Sequence, residues 1–255
     1  MLLAIDIGNT STVLGLYDGE RLAGHHRFGT NRSLKASELN SQLTALMKSM
    51  GSDKIEIREA VIASVVPILN DIYTEEIKRA FGISAIFVSH LVKLPVKLGY
   101  HDPSMLGADR IANAVAGFVK FGGPIIVVDY GTATKFEVVT DNGFYVGGVI
   151  APGAELGANA LAEKAARLFK VEPRVPEHAI GRTTEEAMKS GLFWGTIGQV
   201  DRIIKSLLDE IGGQARVVAT GGLAGLFAPH SQYIETYYPY LTLDGLRIIY
   251  EYQAL

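Results

Sequence analysis

The chain has no cysteine at all, which excludes a disulfide framework, a cysteine-ligated zinc site and a thiol nucleophile. Neither sign of charge dominates: 24 Lys and Arg stand against 27 Asp and Glu, a formal net charge of −3. A nucleic-acid surface normally declares itself as a basic surplus, so no nucleic-acid partner is expected. Long hydrophobic runs are also missing. The longest stretch without Asp, Glu, Lys or Arg, Val217–Ile234, is broken by Gly221-Gly222, Pro229-His230 and Ser231-Gln232. A membrane span takes about 20 mostly apolar residues, so no membrane association is expected. The opening MLLAIDIGNT lacks a basic start and puts Asp6 where a leader would be apolar. It reads as structure, and the expected location is cytoplasmic. There is no Gly-Lys dipeptide for a Walker A loop, no Gly-x-Ser-x-Gly and no His-Glu-x-x-His. The six histidines show no ligand spacing.

What is present is apolar residues, 48% of 255, enough for a large core in one or two domains. Residues 2–7 form an apolar run around one carboxylate and end at Gly8-Asn9-Thr10, a buried strand entering a polar turn. Thr12–Tyr17 and Arg21–Phe28 follow, joined by Asp18-Gly19, a hairpin signal that makes three antiparallel strands. Leu39, Leu43, Leu46, Met47 and Met50 fall at helical spacing over 36–50. Strands at 59–66 and 84–89 flank a helix at 70–81. A helix over 107–120 has Ile111, Ala114, Val115, Phe118 and Val119 on its apolar side.

After Gly122-Gly123-Pro124 the pattern restarts. Strands are expected at 125–129, 136–139, 144–150 and 217–219, and helices at about 153–167, at 184–211 and from 242 onward. Ala4–Thr12 and Val127–Thr134 share one plan: a buried strand, an Asp, one residue, a Gly, then a Thr-rich turn into a second strand. The natural reading is a duplicated α/β domain with a cleft between the halves, divided at 1–118 and 119–255.

Such a hairpin can offer backbone N–H groups and hydroxyls to phosphate oxygens. The strand-end Asp would be repelled by phosphate, so its natural partner is a hydrated Mg²⁺. Two such hairpins would clamp a nucleoside triphosphate. Thr220-Gly221-Gly222 could lie flat against adenine or ribose, or be a tight strand–helix turn. Asp109 is either a first-turn acid favoured by the helix dipole or a general base beside an anion-gripping Arg110.

Five motifs occur together in order: Asp6-Ile7-Gly8-Asn9-Thr10, Gly107-Ala108-Asp109-Arg110, Asp129-Tyr130-Gly131-Thr132-Ala133-Thr134, Gly147-Gly148-Val149-Ile150-Ala151-Pro152-Gly153 and Thr220-Gly221-Gly222-Leu223-Ala224. Over about residues 4–226 the chain resembles the type III pantothenate kinases, of the acetate and sugar kinase/Hsp70/actin superfamily. The resemblance implies two actin-like, ribonuclease-H-like domains with mixed five-stranded sheets and an ATP cleft between them. It implies phosphorylation of pantothenate by ATP with Mg²⁺, a monovalent cation (K⁺ or NH₄⁺) and a homodimer. Carried over by position, Asp6, Ile7, Gly8, Asn9, Thr10, Ser11, Thr12 and Val13 match the phosphate-binding segment, and Thr132 matches the second ATP contact. Asp109 matches the proton acceptor. Tyr100, Gly107, Ala108 and Arg110 match the pantothenate site, Thr184 a substrate contact near the dimer interface, and Asp129 the cation ligand.

Some of these positions have a structural reading as well. Thr183 and Glu186 make a capping box, Tyr100 could be a rim aromatic, and Gly191 and Gly195 suit close helix packing. Departures from the family pattern occur at Lys135 and Glu137, where Thr and Asp are usual, and at Phe169, where Pro is common. Lys135 shares a strand face with Glu137 and either pairs with it at the surface or reaches back to Asp129. Two other functions fit the resemblance: a non-catalytic accessory transcriptional regulator, and a kinase of the same fold for another small hydroxy acid.

Overall fold

A computed structural model describes residues 1–49, 56–164 and 167–255; Met50 and residues 165–166 of the helix expected at about 153–167 lie outside them. In chain order the elements are β1 (Leu2–Ile7), β2 (Ser11–Asp18), β3 (Arg21–Gly29), α1 (Ala36–Ser49), β4 (Glu59–Ser64), α2 (Asn70–Phe81), β5 (Ala85–Phe87), β6 (Lys97–Leu98) and α3 (Ala108–Phe121). They continue with β7 (Ile125–Tyr130), β8 (Ala133–Val139), β9 (Phe144–Pro152), α4 (Ala154–Lys164), α5 (Thr184–Glu210), β10 (Arg216–Thr220), α6 (Ala224–Phe227), β11 (Thr236–Tyr237) and α7 (Leu241–Tyr252). The chain divides into two compact units, residues 1–119 with 241–255, and residues 120–240.

In the first unit the sheet runs β3-β2-β1-β4-β5. The hairpin strands are antiparallel to β1, and β4 and β5 are parallel to it. In the second unit five strands run β9-β8-β7-β10-β11, again with two antiparallel steps and then two parallel ones. The repeat read from a few residues is therefore a repeat of topology. The central strands β1 and β7 are buried almost throughout, as parallel neighbours require. Leu3, Ile5 and Ile7 pack with Leu39, Leu43 and Leu46 of α1 in one core. Ile126, Val128 and Phe136 pack with Phe193, Ile197 and Phe227 in the other.

Two features depart from the sequence reading. Residues 241–255 belong with the first unit, although a division at 118/119 assigns them to the second half. The cause is local packing: Tyr17 donates its hydroxyl to Asp244 Oδ1 at 2.7 Å, and Thr242 donates to Asn113 Oδ1 at 2.8 Å. Second, α3 is buried all round from Arg110 to Gly117 rather than along one apolar side, and Val119 is 47% exposed. The start of α7 covers a face of α3 that the spacing of its own residues marks as polar.

Candidate active site

β1 ends in the turn Gly8-Asn9-Thr10, and Asp6 stands half-buried one residue before the strand end. The turn is tied down from behind. Gly8 N–H donates to Ser11 O at 3.1 Å, and the Thr30 hydroxyl donates to Gly8 O at 2.7 Å. Thr30 has a single hydroxyl proton, so the 2.9 Å contact with Thr12 Oγ1 has Thr12 as donor. Thr12 is fully buried and braces the turn; Ile7 and Val13 are buried as well. Of this segment, Asn9 and Thr10 are exposed and Ser11 half-exposed. Arg32 Nη2 reaches Asn9 Oδ1 at 3.2 Å, and Arg27 Nη1 reaches Ser11 Oγ at 3.2 Å.

Thr30, Arg27 and Arg32 were not singled out from the sequence. The hairpin turn gave a signal, since it fixes which residues of β3 face β2. A register shift between Leu16 and Tyr17 displaces the pairing by one residue, so counting from Asp18-Gly19 misses the partners.

The start of α3 stands beside the same strand end. Val65 N–H donates to Ile7 O at 3.0 Å, and Val65 Cγ1 lies 3.5 Å from where a Cβ on Gly107 would sit. That Cβ would be only 2.6 Å from Asp109 Oδ1, so glycine is what allows the carboxylate to fold back over the helix start. Asp109 Oδ1 accepts Arg110 N–H at 2.8 Å. Arg110 is 6% exposed, and its guanidinium carbon lies 5.8 Å from the Tyr100 ring centroid. Tyr100 and Gly107–Arg110 thus form one group next to the turn that follows Asp6. A half-buried carboxylate beside a buried guanidinium can orient a hydroxyl while gripping an anion.

In the second unit Asp129 stands one residue before the end of β7, the position Asp6 holds in β1. Lys135 is its cross-strand partner, with Nζ 2.8 Å from Asp129 Oδ2. Glu137 is not the surface carboxylate expected: it is fully buried and accepts the Tyr145 hydroxyl at 2.7 Å. Gly221 has φ +95°, and a Cβ there would fall 2.5 Å from Asp129 Oδ1. The Gly-Gly turn is thus pressed against the strand-end carboxylate. Gly153 N–H donates to Thr132 O at 3.2 Å and fixes the turn that exposes Thr132. The hydroxyls of Thr134 and Thr220 are buried without a hydrogen-bond partner.

Thr184 is exposed at the first position of α5 and belongs to the other unit from Tyr100 and Arg110. Thr183 caps that helix by accepting Glu186 N–H at 3.2 Å. The Glu186 carboxylate accepts Arg182 N–H at 2.7 Å, one residue before the capping-box position. Gly191 and Gly195, expected to pack closely on a neighbouring helix, would have nothing within 4 Å of an added Cβ in this chain. Among the described residues no cluster of three or more His, Asp or Glu could hold a metal ion. A magnesium carried in on phosphates needs no such cage, since one carboxylate and its waters suffice.

Two copies of one sheet, each ending its central strand in a carboxylate and a Gly/Thr turn, define the actin-like class that includes the sugar kinases. Solved structures agree on the fold. The hexokinase of the ROK group from Thermus thermophilus matches with TM-score 0.51 at 14% identity, covering 97% of each chain. The ethanolamine utilization protein EutJ from Carboxydothermus hydrogenoformans matches with TM-score 0.60 at 17% identity, covering 97% of this chain and 89% of that one. The type III pantothenate kinase family profile matches residues 2–206, and the chain belongs to that family. A type III pantothenate kinase from Moorella thermoacetica is 45% identical over 251 residues, covering 98% of this chain and 99% of its own.

Proposed function

We propose that the chain transfers the terminal phosphoryl group of MgATP to the primary hydroxyl of pantothenate, the first step of coenzyme A synthesis, with Asp109 accepting the hydroxyl proton. The observation that carries the assignment of roles is the group at the start of α3. Asp109 and Arg110 are held together there, and Val65 ties that helix start to the end of β1. Arg110, buried against Tyr100, suits the carboxylate of the substrate. Asp109 then faces a hydroxyl at the other end of the same molecule. Phosphoryl transfer depends on positioning and charge stabilisation rather than on covalent chemistry by the protein.

The turn after Asp6 binds the triphosphate through its exposed residues Asn9 and Thr10 and through Ser11, with Thr132 as the second contact. Arg27 and Arg32 add positive charge beside that turn. Asp6 fits Mg²⁺: it is half-buried at a strand end, next to an exposed turn rich in hydroxyl and amide groups. The ion supplies neutralisation of the phosphate oxygens. Asp129 does not fit the K⁺ or NH₄⁺ that the family resemblance implies, because Lys135 already occupies it.

The assembly is a homodimer through the outward face of α5. Trp194 is 47% exposed, and Gly191, Gly195 and Gly198 meet nothing in their own chain. Thr184 at the start of α5 then contributes to substrate binding at or across that interface. The location proposed is the cytoplasm, where ATP is supplied; among the described residues no helix is long and apolar enough to cross a membrane.

The test is Asp109→Asn. It should bind ATP as before and lose about 10²–10⁴-fold in turnover, the usual contribution of a general base. Near-normal turnover would remove Asp109 from the mechanism.

A further inference from the structure

The repeated hairpin permits a comparison within one chain. In the first unit the row of side chains across the sheet reads Ala63, Asp6, Val13, Arg27. In the second unit the matching row reads Thr220, Asp129, Lys135, Ile150. The strand-end carboxylates correspond, but the residues opposite them do not. Val13 brings no charge to Asp6. Lys135 brings an ammonium within 2.8 Å of Asp129, and the two side chains are only 17% and 11% exposed.

Each oxygen of Asp129 already has a close neighbour. Oδ2 already holds the ammonium, and a metal ion sharing it would set two like charges side by side in a poorly hydrated place. Oδ1 is covered by the backbone of Gly221, where even a Cβ would come within 2.5 Å. A lysine ammonium is a compact point charge, which is all that a monovalent cation supplies at such a site.

We propose that Lys135 is a built-in replacement for a monovalent cation, so that phosphoryl transfer by this chain needs no added K⁺ or NH₄⁺. The lysine is a positioning residue. It fixes one positive charge beside the Gly131-Thr132 turn, where Val13 at the matching place in the first unit carries none. The proposal rests on the kinase reading above. It also names what a substitution should uncover. The buried Thr220 hydroxyl, unpartnered beside Asp129, and the Asp129 carboxylate would line an oxygen-rich gap once the lysine is gone.

The experiment compares the native chain with Lys135→Thr in choline chloride, KCl and NH₄Cl at one ionic strength. Pantothenate-dependent ADP formation and thermal unfolding are both measured. For the native chain, turnover should differ by less than about threefold among the salts, and the melting temperature should not respond to KCl. Lys135→Thr should turn over about tenfold or more slowly in choline, the scale of losing a fixed charge at a reacting site. Its turnover should recover in KCl or NH₄Cl, and its melting temperature should rise with KCl.

Stimulation of the native chain by KCl beyond about threefold, or a variant as indifferent to KCl as the native chain, would overturn the proposal. If the variant does not fold, the salt dependence of the native chain decides alone. If the native chain shows no pantothenate-dependent turnover in any salt, the kinase reading fails, and the melting measurements still decide whether K⁺ binds.

Discussion

Gly221 carries two constraints at one residue: φ of +95° and an Asp129 oxygen where a Cβ would sit. Gly221→Ala should cost about 1–3 kcal/mol, the usual scale of backbone strain held at a site, read as a lower denaturation midpoint. Because the crowding falls on Asp129 and on the Tyr130 carbonyl at the end of β7, the KM for ATP should rise more than that for pantothenate. Arg32 makes a second residue-level case. It is exposed and donates to Asn9 Oδ1 on the turn, so Arg32→Ala should leave stability within about 0.5 kcal/mol and raise the KM for ATP severalfold. An unchanged KM would remove Arg32 from phosphate binding. Asp6, Asp109, Asp129 and Gly221 were legible in the sequence because acids and glycines at strand ends and helix starts have local physical reasons to be there. Thr30, Arg27 and Arg32 were not, because a single bulge shifts every partner beyond it. The Lys135 pairing was left open, since period-two alternation tells which residues share a face but not what covers that face. Here Glu137 is buried and accepts the Tyr145 hydroxyl, and Lys135 reaches Asp129.

At the scale of elements, α5 was legible in both length and start. Its cap is Thr183, and Thr183→Ala should cost about 1 kcal/mol, measured by chemical denaturation. Its outer face is the more demanding prediction. Leu192, Phe193 and Ile197 are buried within the chain, while Trp194 and three glycines face outward. Sedimentation should give twice the chain mass at micromolar concentration, and Trp194→Glu should shift it toward the single chain. A native chain that sediments as a monomer with full activity would contradict the assembly. The helix α3 shows the limit of periodicity. Its polar Asn113 is not on the apolar side read from spacing, yet it is buried and Thr242, 129 residues away, donates to it. A stripe pattern reports only the contacts a helix makes with one surface.

At the scale of the molecule, the duplication was legible and the return of residues 241–255 to the first unit was not. Both sheets repeat one strand order, yet the final helix returns to the first. Three buried tyrosines give the fold a common response to alkali. Burial pushes the Tyr73 hydroxyl up to about 12, and it raises Tyr17 and Tyr130 as well, with the Asp244 carboxylate adding to the effect at Tyr17. Above about pH 10 the unfolded chain loses these protons while the folded chain keeps them, so stability must fall as pH rises. The decline should start near pH 10 at about 1.4 kcal/mol per pH unit for each such group. It should appear as cooperative unfolding coincident with phenolate absorbance. Gradual ionisation of these tyrosines without unfolding would contradict their burial.

The central claim, that this two-unit fold phosphorylates pantothenate with ATP, is tested most directly by ADP release with and without pantothenate, followed by phosphorus NMR of the product. The account predicts ADP formation that depends on pantothenate and one new phosphomonoester, its phosphorus coupled to the protons of a primary carbon. Equal ADP release without pantothenate, or phosphate transferred only to water, would contradict it.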